Sequence, residues 1–474
     1  MSRVGHYMLW EGAEVLKVVS GKGGCVDWSA NGVSIDSRRI ADGDLFVAIK
    51  GNNFDGNKFA VEALNSGAIA ALTQEGVGSP EHNARVLIVE DTMEALRALG
   101  REARNRSNAK VVVVTGSVGK TGTKNLLAAG MKENGLTIAT DGNLNNQIGL
   151  PLSLARMPRE TEFGVFEIGM NSPGEISPLS LLARPNIAII TSVEAVHIGF
   201  FSNLDGIANA KAEVFDGLVS GGTAIINRDN AYFEMLSRKA RSKGAGQVIG
   251  FGQSSHCDVK LENYCDMKSH SMVEVCLGGI PLKYRLQLLG YHWAINSLSV
   301  LAAADVLGVD VKLVADSLYQ VKPMSGRGRR FYVPMDGSKF LVIDESYNAS
   351  PPAVMAALSA LKAISPEHDG KKIAILGDML ELGSFSGELH ANLFECVKNS
   401  RLDMLLLVGT HMRSLCELLV EERVFVEWYP NSKDLAEEVI SFISPGDVVM
   451  VKGSLGTKLQ LVVDALAEPQ KGGM

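Results

Sequence analysis

Short apolar runs alternate with segments of helical periodicity along most of the chain. In the middle of the sequence, apolar runs at residues 111–114, 163–167, 186–193 and 223–227 are separated by helical segments. Strands that alternate with helices predict a parallel sheet wrapped by helices. Between residues 257 and 288 short strands follow one another without helices, a pattern consistent with an antiparallel edge on that sheet.

The segments on either side of this region carry alternations of their own. Near the N-terminus a strand pattern at 44–49 precedes a helical pattern at 59–65, and we interpret this part as a substrate-recognition domain. Beyond residue 330, apolar runs beginning at residue 340 indicate a second, Rossmann-like alternation. The predicted fold class is therefore α/β with three domains, at residues 1–105, 106–322 and 323–474.

Composition restricts the function classes. The net charge of −7 argues against a duplex nucleic-acid partner, and no uninterrupted apolar stretch reaches the roughly 18 residues that a membrane span needs. The N-terminus lacks a secretory signal pattern, so we expect a cytoplasmic protein. The cysteines are scattered without metal-site or disulfide spacing, which predicts reduced thiols at Cys25, Cys257, Cys265, Cys276, Cys396 and Cys416.

The most informative motif follows the run at 111–114, where a glycine turn opens a helix at Lys120 and Thr121. Glycines let backbone N–H groups converge on an anion, the lysine adds a point charge and the threonine hydroxyl is suited to Mg²⁺. The generic phosphate-loop pattern has a glycine where Val114 stands, so only its shorter form is present. A solvated glycine turn is the alternative, and we favour nucleotide binding.

Three further residues have chemistry suited to metal and phosphate. Glu167 ends an apolar strand, His197 follows another, and Lys211 lies on the next helix. The carboxyl ends of strands are where open α/β sheets bind ligands, so Glu167 is the first metal candidate beside Thr121. Each residue also has an ordinary interpretation: a capping carboxylate, a satisfied histidine and a solvated lysine. Arg327 is likewise either part of a basic linker or an arginine beside a triphosphate.

Several segments together resemble the Mur ligases, the ATP-dependent amide-forming enzymes of peptidoglycan precursor synthesis. The resemblance lies in the short phosphate loop at 115–121, an Asn-rich segment at 141–152, a glutamate segment at 166–176, and the spacing from His197 to Lys211. It implies a central ATP-binding domain, an N-terminal domain that binds a UDP-linked substrate, and a Rossmann-like C-terminal domain.

The resemblance also implies roles for individual residues. The implied ATP contacts are Gly116, Ser117, Val118, Gly119, Lys120, Thr121, Gly122, His292, Asn296, Arg327, Asp344 and Asn348. The implied catalytic residues are Lys120, His197 and Lys211, with Thr121, Glu167, His197 and Lys211 as ligands or neighbours of two Mg²⁺ ions. Lys211 is a position at which these enzymes are often carbamylated. The implied substrate contacts are Ser37, Arg38, Asn145 and Asn146.

Segments at 35–51, 343–351 and 376–383 are similar to the dipeptide-adding branch of the family. The implied substrates are ATP, UDP-N-acetylmuramoyl-tripeptide and D-alanyl-D-alanine, joined through an acyl phosphate by an enzyme expected to be a monomer. The alternatives are a sister ligase that adds the third residue, a folate polyglutamate synthase, or a phosphate-loop ATPase without ligase activity. The chain departs from the family pattern at Gly122, where a hydroxyl residue is common, at 202–203, and at Trp293, which replaces an asparagine.

Overall fold

The computed structural model describes residues 7–51, 54–196, 198–201, 203–267, 269–420 and 425–468. Its strands form three larger sheets and one two-stranded ribbon, with helices packed between and around them. The mixed α/β architecture confirms the predicted fold class. All six cysteines are free thiols. Among the helices of the described ranges, none combines the length and the apolar character needed to cross a membrane.

The N-terminal part contains a parallel sheet in the order β3-β4-β5-β6. The predicted strand at 44–49 and helix at 59–65 are both present, each shorter than its pattern. The strands are β1 (Trp10–Glu11), β2 (Ser29–Ala30), β3 (Gly32–Ser34), β4 (Asp44–Val47), β5 (Ala70–Thr73) and β6 (Val86–Ile88). The helices are α1 (Gly12–Val18), α2 (Ala60–Asn65), α3 (Pro80–Asn83) and α4 (Thr92–Asn105).

The central part contains the largest sheet, in the order β15-β14-β13-β12-β11-β10-β7-β9-β8. Its strands are β7 (Lys110–Thr115), β8 (Thr137–Ala139), β9 (Phe163–Glu167), β10 (Ile187–Ile190), β11 (Thr223–Asn227), β12 (Gln247–Gly252), β13 (Val259–Asp266), β14 (Ser271–Leu277) and β15 (Ile280–Leu286). Its helices are α5 (Lys120–Lys132), α6 (Gly149–Ala155), α7 (Ile176–Ala183), α8 (Leu204–Ala212), α9 (Phe233–Ser242), α10 (Tyr291–Leu307) and α11 (Val311–Ser317). Strands β13, β14 and β15 pair antiparallel, which confirms the predicted antiparallel edge.

The C-terminal part contains a sheet in the order β16-β17-β21-β18-β19-β20, parallel except for the β16–β17 hairpin. The strands are β16 (Arg329–Met335), β17 (Ser338–Glu345), β18 (Lys372–Gly377), β19 (Met404–Val408), β20 (Phe425–Tyr429) and β21 (Val448–Lys452). The helices are α12 (Pro351–Lys362), α13 (Ser386–Ala391), α14 (Phe394–Asn399), α15 (Met412–Leu419), α16 (Ser432–Glu438) and α17 (Gln460–Ala467).

The N-terminal and central parts share one hydrophobic core. Leu152 and Ala155 of α6 pack with Leu96 and other apolar residues of the N-terminal part. The indole Nε1 of Trp10 donates a 2.8 Å hydrogen bond to the Ala155 carbonyl. The C-terminal part meets the central part along shorter stretches, among them one where the Gly199 amide donates to the Glu381 carbonyl at 3.2 Å.

Candidate active site

The phosphate loop connects β7 to α5, as the sequence pattern predicts. The half-buried Lys120 begins α5 and folds back over the loop, where its Nζ donates to the Gly116 carbonyl at 2.7 Å and to the Ser117 carbonyl at 3.1 Å. The loop is also held to the end of β10, because the Thr191 hydroxyl donates to the Val118 carbonyl at 2.5 Å. The loop conformation is thus set by bonds to a neighbouring strand.

Two loop positions require glycine. Gly116 has a φ of +148°, and a Cβ atom there would lie 1.9 Å from the Thr191 hydroxyl oxygen. Gly119 has a φ of +87°, and a Cβ atom there would lie 2.8 Å from Asn296 Oδ1. Side chains disfavour positive φ, and neither position has room for one. The loop backbone can therefore lie directly against β10 and α10.

Glu167 ends β9, beside β7 in the sheet, and is 1% exposed. Its Oε1 accepts a 2.7 Å hydrogen bond from Asn145 Nδ2, and its amide donates to the Thr140 hydroxyl at 3.0 Å. Its Oε2 is buried and, within the described residues, has no hydrogen-bond partner. A buried carboxylate oxygen without a partner is costly unless a cation or donor reaches it.

Lys120 lies near other charged groups of the site. Burial lowers the pKa of Lys120, while the charge of Glu167 raises it and that of Arg327 lowers it further. Lys211 is 3% exposed, and burial together with the charge of Lys120 holds its pKa well below the usual range. Lys120 therefore lies within electrostatic range of Glu167, Lys211 and Arg327, although the four residues are far apart in sequence.

A cavity of about 290 Å³ opens beside the phosphate loop. The central part lines it with Val118, Gly119, His292 and Asn296, and the C-terminal part lines it with residues of α12 and with Glu345. The apolar face of α12 opposite polar groups of α10 is typical of a site for a flat ring with polar edges. His292 is exposed and contributes its imidazole to the wall of the cavity.

Two predicted ATP contacts of the C-terminal part lie next to the cavity. Asp344 is fully buried, and its carboxylate accepts hydrogen bonds from the Gly326 amide at 2.7 Å and the Ser346 hydroxyl at 2.6 Å. Asn348 accepts a 3.0 Å hydrogen bond from Lys452 Nζ at its backbone carbonyl. In this arrangement Asp344 stabilises the turn that carries Arg327, whose guanidinium lies 4.1 Å from the ring centre of Tyr347.

The remaining predicted residues are spread more widely. Ser37 and Arg38 lie in a short 3₁₀ helix of the N-terminal part, where Asp36 forms a 2.9 Å ion pair with Arg38. Asn146 Oδ1 caps the start of α6 by accepting from the amides of residues 148 and 149. His197 lies outside the described residues. The ligand roles of all these residues stay predictions.

Three family models match successive parts of the chain: the Mur ligase family catalytic domain at residues 29–104, the Mur ligase middle domain at 114–304, and the Mur ligase glutamate ligase domain at 329–455. The UDP-N-acetylmuramoyl-tripeptide--D-alanyl-D-alanine ligase of Rickettsia prowazekii is 32% identical over 92% of this chain and 95% of its own length. The chain belongs to the Mur ligase family.

Solved structures agree with this Mur ligase assignment. MurF from Acinetobacter baumannii superimposes with a TM-score of 0.83 at 26% identity, covering 96% of this chain and 98% of the other. MurF from Thermotoga maritima in complex with ADP superimposes with a TM-score of 0.76 at 27% identity, covering 92% and 97% of the two chains. The family and the ADP complex support ATP use.

The donor set fits a hard cation. Within the described part of this Mur ligase, no three His, Cys, Asp or Glu side chains converge on a metal position. Glu167 instead supplies one buried carboxylate whose Oε2 lacks a hydrogen-bond partner there, and Thr121, 5% exposed, supplies a hydroxyl at the start of α5. Mg²⁺ is usually held by one or two carboxylates together with substrate phosphates and water, so this sparse set suits it.

Sequence reasoning missed several polar residues of this Mur ligase site. Lys124, 4% exposed, donates to the Thr140 carbonyl at 2.7 Å, and the charge of Glu167 raises its burial-lowered pKa. Lys452 forms a 3.5 Å ion pair with Glu345 at the cavity wall. Both lysines have a recognisable signal in the sequence: Lys124 lies one helical turn after Lys120, and Lys452 ends an apolar strand.

Proposed function

We propose that this chain is an ATP-dependent ligase that joins D-alanyl-D-alanine to UDP-N-acetylmuramoyl-tripeptide, giving the pentapeptide precursor of peptidoglycan. The observation that carries the proposal is the cluster of Lys120, Glu167, Lys211 and Arg327 beside a cavity between two sheets. Family membership and the R. prowazekii relative, matched over nearly its whole length, support the substrates.

The reaction begins when the terminal carboxylate of the tripeptide attacks the γ-phosphorus of ATP, releasing ADP and leaving an acyl phosphate. The amine of D-alanyl-D-alanine then attacks the acyl carbon, and phosphate leaves with the bonding electrons while the amine loses a proton. Lys120 and Arg327 stabilise the negative charge on the transferring phosphoryl group. Closure of the C-terminal part over the cavity excludes water, which would otherwise hydrolyse the acyl phosphate.

Mg²⁺ is the proposed metal, with Thr121 and Glu167 as its ligands. A bound Mg²⁺ withdraws charge from phosphate oxygens. A second ion near His197 and Lys211 belongs to the same proposal. The low pKa of Lys211 supports its carbamylation, since an uncharged amine can add CO₂ and release a proton, giving an anionic oxygen donor in place of an ammonium.

The proposed substrate contacts are assigned from where the predicted residues lie in the structure. Ser37 and Arg38 would bind the UDP diphosphate, because a guanidinium matches phosphate geometry. Asn145, already bonded to Glu167, would orient the substrate carboxylate near the metal, with Asn146 beside it. His292 and Asn296 face the cavity and would contact the nucleotide, as would Asp344 and Asn348 after closure.

The organisation of the enzyme follows the same proposal. The domain at 1–105 would bind the UDP substrate, and the domain at 106–322 would bind ATP. The domain at 323–474 would close over the site. Reduced cysteines and the use of ATP support a cytoplasmic enzyme. A working monomer belongs to the same proposal. Limited proteolysis would test the domain boundaries, with the first cut expected near residue 322 and a slower cut near residue 105, where the N-terminal and central parts share a core.

Phosphate release from Mg-ATP tests the function. Purified protein is given UDP-N-acetylmuramoyl-tripeptide with D-alanyl-D-alanine, with single amino acids, or with no acceptor, and product masses are measured. We expect release that depends on the dipeptide and a product with the mass of UDP-N-acetylmuramoyl-pentapeptide. Release driven by a single amino acid would instead assign a sister ligase or a folate polyglutamate synthase. Release that ignores every acceptor would assign a plain ATPase.

A further inference from the structure

Helices α5 and α10, which carry neighbouring walls of the nucleotide cavity, are in close contact at two glycines. Gly119 and Gly122 lie at the start of α5, and Asn296 and Trp293 lie on α10. A Cβ atom on Gly122 would lie 2.5 Å from Cζ3 and 2.9 Å from Cη2 of Trp293. One on Gly119 would lie 2.8 Å from Asn296 Oδ1. Residues three apart share a helix face, so each pair meets along one seam.

The Trp293 ring is the bulkiest part of this seam. Trp293 is 7% exposed and packs in the core that also contains Val114 and Leu126, which flank the phosphate loop in sequence. On its other side, a Cβ atom at Gly328 would lie 3.8 Å from the indole Nε1. The ring therefore contacts α5 and lies close to the segment that enters the C-terminal sheet.

The seam sets the distance between α5 and α10, and therefore between two groups of residues that line the cavity. The cavity is lined by Val118 and Gly119 from the phosphate loop and by His292 and Asn296 from α10. A nucleotide that contacts both sets must match the separation of the two helices. Because protein interiors are close-packed, a ring wedged between helices holds that separation within narrow limits.

We propose that Trp293 is a positioning residue for the nucleotide, whose ring sets the spacing between the phosphate loop and the α10 side of the cavity. Gly122 is its necessary partner, since any larger residue would displace the ring. The structure shows that the two residues are in contact. The inference rests on the ATP use in the proposed function and adds a determinant of ATP affinity.

The same helix provides a matched control for ordinary packing. Gly130 lies near the other end of α5, where a Cβ atom would lie 2.6 Å from Val314 Cγ1 of α11. Gly122→Ala and Gly130→Ala thus introduce similar clashes into one helix. The first changes the α5–α10 spacing at the cavity, and the second changes packing away from it.

The experiment measures calorimetric Kd values for Mg-ADP together with melting temperatures. Overpacking of this kind displaces neighbouring groups, and we expect Gly122→Ala to weaken Mg-ADP binding about tenfold. Gly130→Ala should lower the melting temperature comparably and leave the Kd within about twofold. We expect Trp293→Leu alone to weaken Mg-ADP binding. Because the two residues are in contact, adding Trp293→Leu to Gly122→Ala should nevertheless recover part of the affinity that Gly122→Ala loses.

Two further readouts separate positioning from stability. In steady state, Gly122→Ala should raise the KM for ATP and leave the KM for D-alanyl-D-alanine unchanged. Trp293 is one of four tryptophans and the only one on α5 or α10. We expect Mg-ADP to change the tryptophan emission of the native protein, and Trp293→Phe to abolish most of that change.

The outcomes are distinct. Equal losses of Mg-ADP affinity in Gly122→Ala and Gly130→Ala, or a double variant no better than Gly122→Ala, would overturn the positioning role. If Gly122→Ala does not fold, unchanged Mg-ADP affinity in Trp293→Leu would overturn it as well. A native protein that binds no Mg-ADP would instead refute the proposed ATP use.

Discussion

At the scale of single residues, the site depends on the carboxylate of Glu167, of which only one oxygen has a hydrogen-bond partner among the described residues. Asn145 donates to Oε1 of Glu167, while Oε2 is buried without a hydrogen-bond partner among the described residues. The fold stabilises this group partly through nearby cations, because the charge of Glu167 interacts favourably with Lys120 and Lys124. Such a residue is expected to matter more for activity than for stability.

Glu167→Gln tests this expectation. The amide keeps the shape and can still accept from Asn145, but it removes the charge that a Mg²⁺ ion would need. We expect kcat to fall about 10²-fold or more, with a small change in melting temperature. Glu162→Gln, immediately before the start of the same strand, is the control and should retain full activity. Unchanged kcat in Glu167→Gln at saturating Mg²⁺ would exclude Glu167 as the metal ligand.

His390 makes the stability of the loop after β18 depend on pH. The ring is fully buried, its Nε2 accepts a 2.9 Å hydrogen bond from the Met379 amide, and its Nδ1 lies 2.6 Å from the Ser386 carbonyl. Burial lowers its pKa below the ordinary 6.5, while the Ser386 carbonyl and Asp378 raise it and the stacked His411 lowers it. The folded state therefore favours the neutral ring.

The sign of the effect follows from the lowered pKa. The unfolded chain binds the proton more readily, so the contribution of His390 to stability is present above about pH 6.5 and is lost as the pH falls through the folded-state pKa. We expect His390→Gln to lower the melting temperature at neutral pH, with a difference from the native protein that shrinks by about pH 5. A difference that is constant with pH would contradict the assignment. His256→Asn, at an exposed position away from this loop, serves as the control.

At the scale of elements, helix ends are joined by buried side chains that sequence patterns do not reveal. Arg104, in the last turn of α4, donates to the carbonyls of Ala183 at 2.8 Å and Arg184 at 3.1 Å, which end α7. It also donates to the Ser107 carbonyl at 3.2 Å. Burial lowers its pKa to about 10, so it stays charged at neutral pH.

Arg104→Leu should therefore destabilise the protein more than an ordinary surface change. Three carbonyl groups would lose a charged donor, and we expect a loss of about 2–4 kcal/mol in the free energy of unfolding. The measurement is urea denaturation, with Arg101→Leu on the exposed side of the same helix as the control. Equal effects of the two substitutions would show that the α4–α7 contact contributes nothing specific.

The elements themselves were predictable where periodicity was strong. The strands predicted at 163–167 and 223–227 agree with β9 and β11 to the residue. Strand β16 was missed, because Arg329, Arg330 and Pro334 interrupt its apolar pattern and only pairing with β17 reveals the strand. Contacts such as Gly122 with Trp293, or Glu345 with Lys452, join residues more than 100 positions apart and leave no local pattern.

At the scale of the whole molecule, the C-terminal sheet approaches the central one at a glycine pair. The Gly199 amide donates to the Glu381 carbonyl, and a Cβ atom on Gly199 would lie 2.6 Å from the Gly383 amide nitrogen. Gly199 belongs to a short 3₁₀ helix (Ile198–Phe200) of the central part, and Gly383 begins another (Gly383–Phe385) in the C-terminal part. This close approach leaves no space for a side chain.

Gly199→Val should hold these two surfaces apart. If the arrangement described here is the one in which phosphoryl transfer occurs, kcat should fall about tenfold or more. Mg-ADP binding should weaken as well, because the C-terminal part lines the nucleotide cavity. Small-angle scattering should show a larger radius of gyration. Gly387→Ala is the control, because an added Cβ at that position has nothing within 4 Å. Native kcat in Gly199→Val would show that this contact is not needed for catalysis.

The core shared through α6 has a consequence for dissecting the enzyme into fragments. Leu152 and Ala155 are covered by the N-terminal part, and Trp10 donates a hydrogen bond to the carbonyl of Ala155, the last residue of that helix. A fragment that starts after residue 105 would expose this apolar surface to water and would be expected to aggregate. The first two sheets should therefore be expressed, exchanged between homologues and inherited as one piece, with the C-terminal sheet as the interchangeable module.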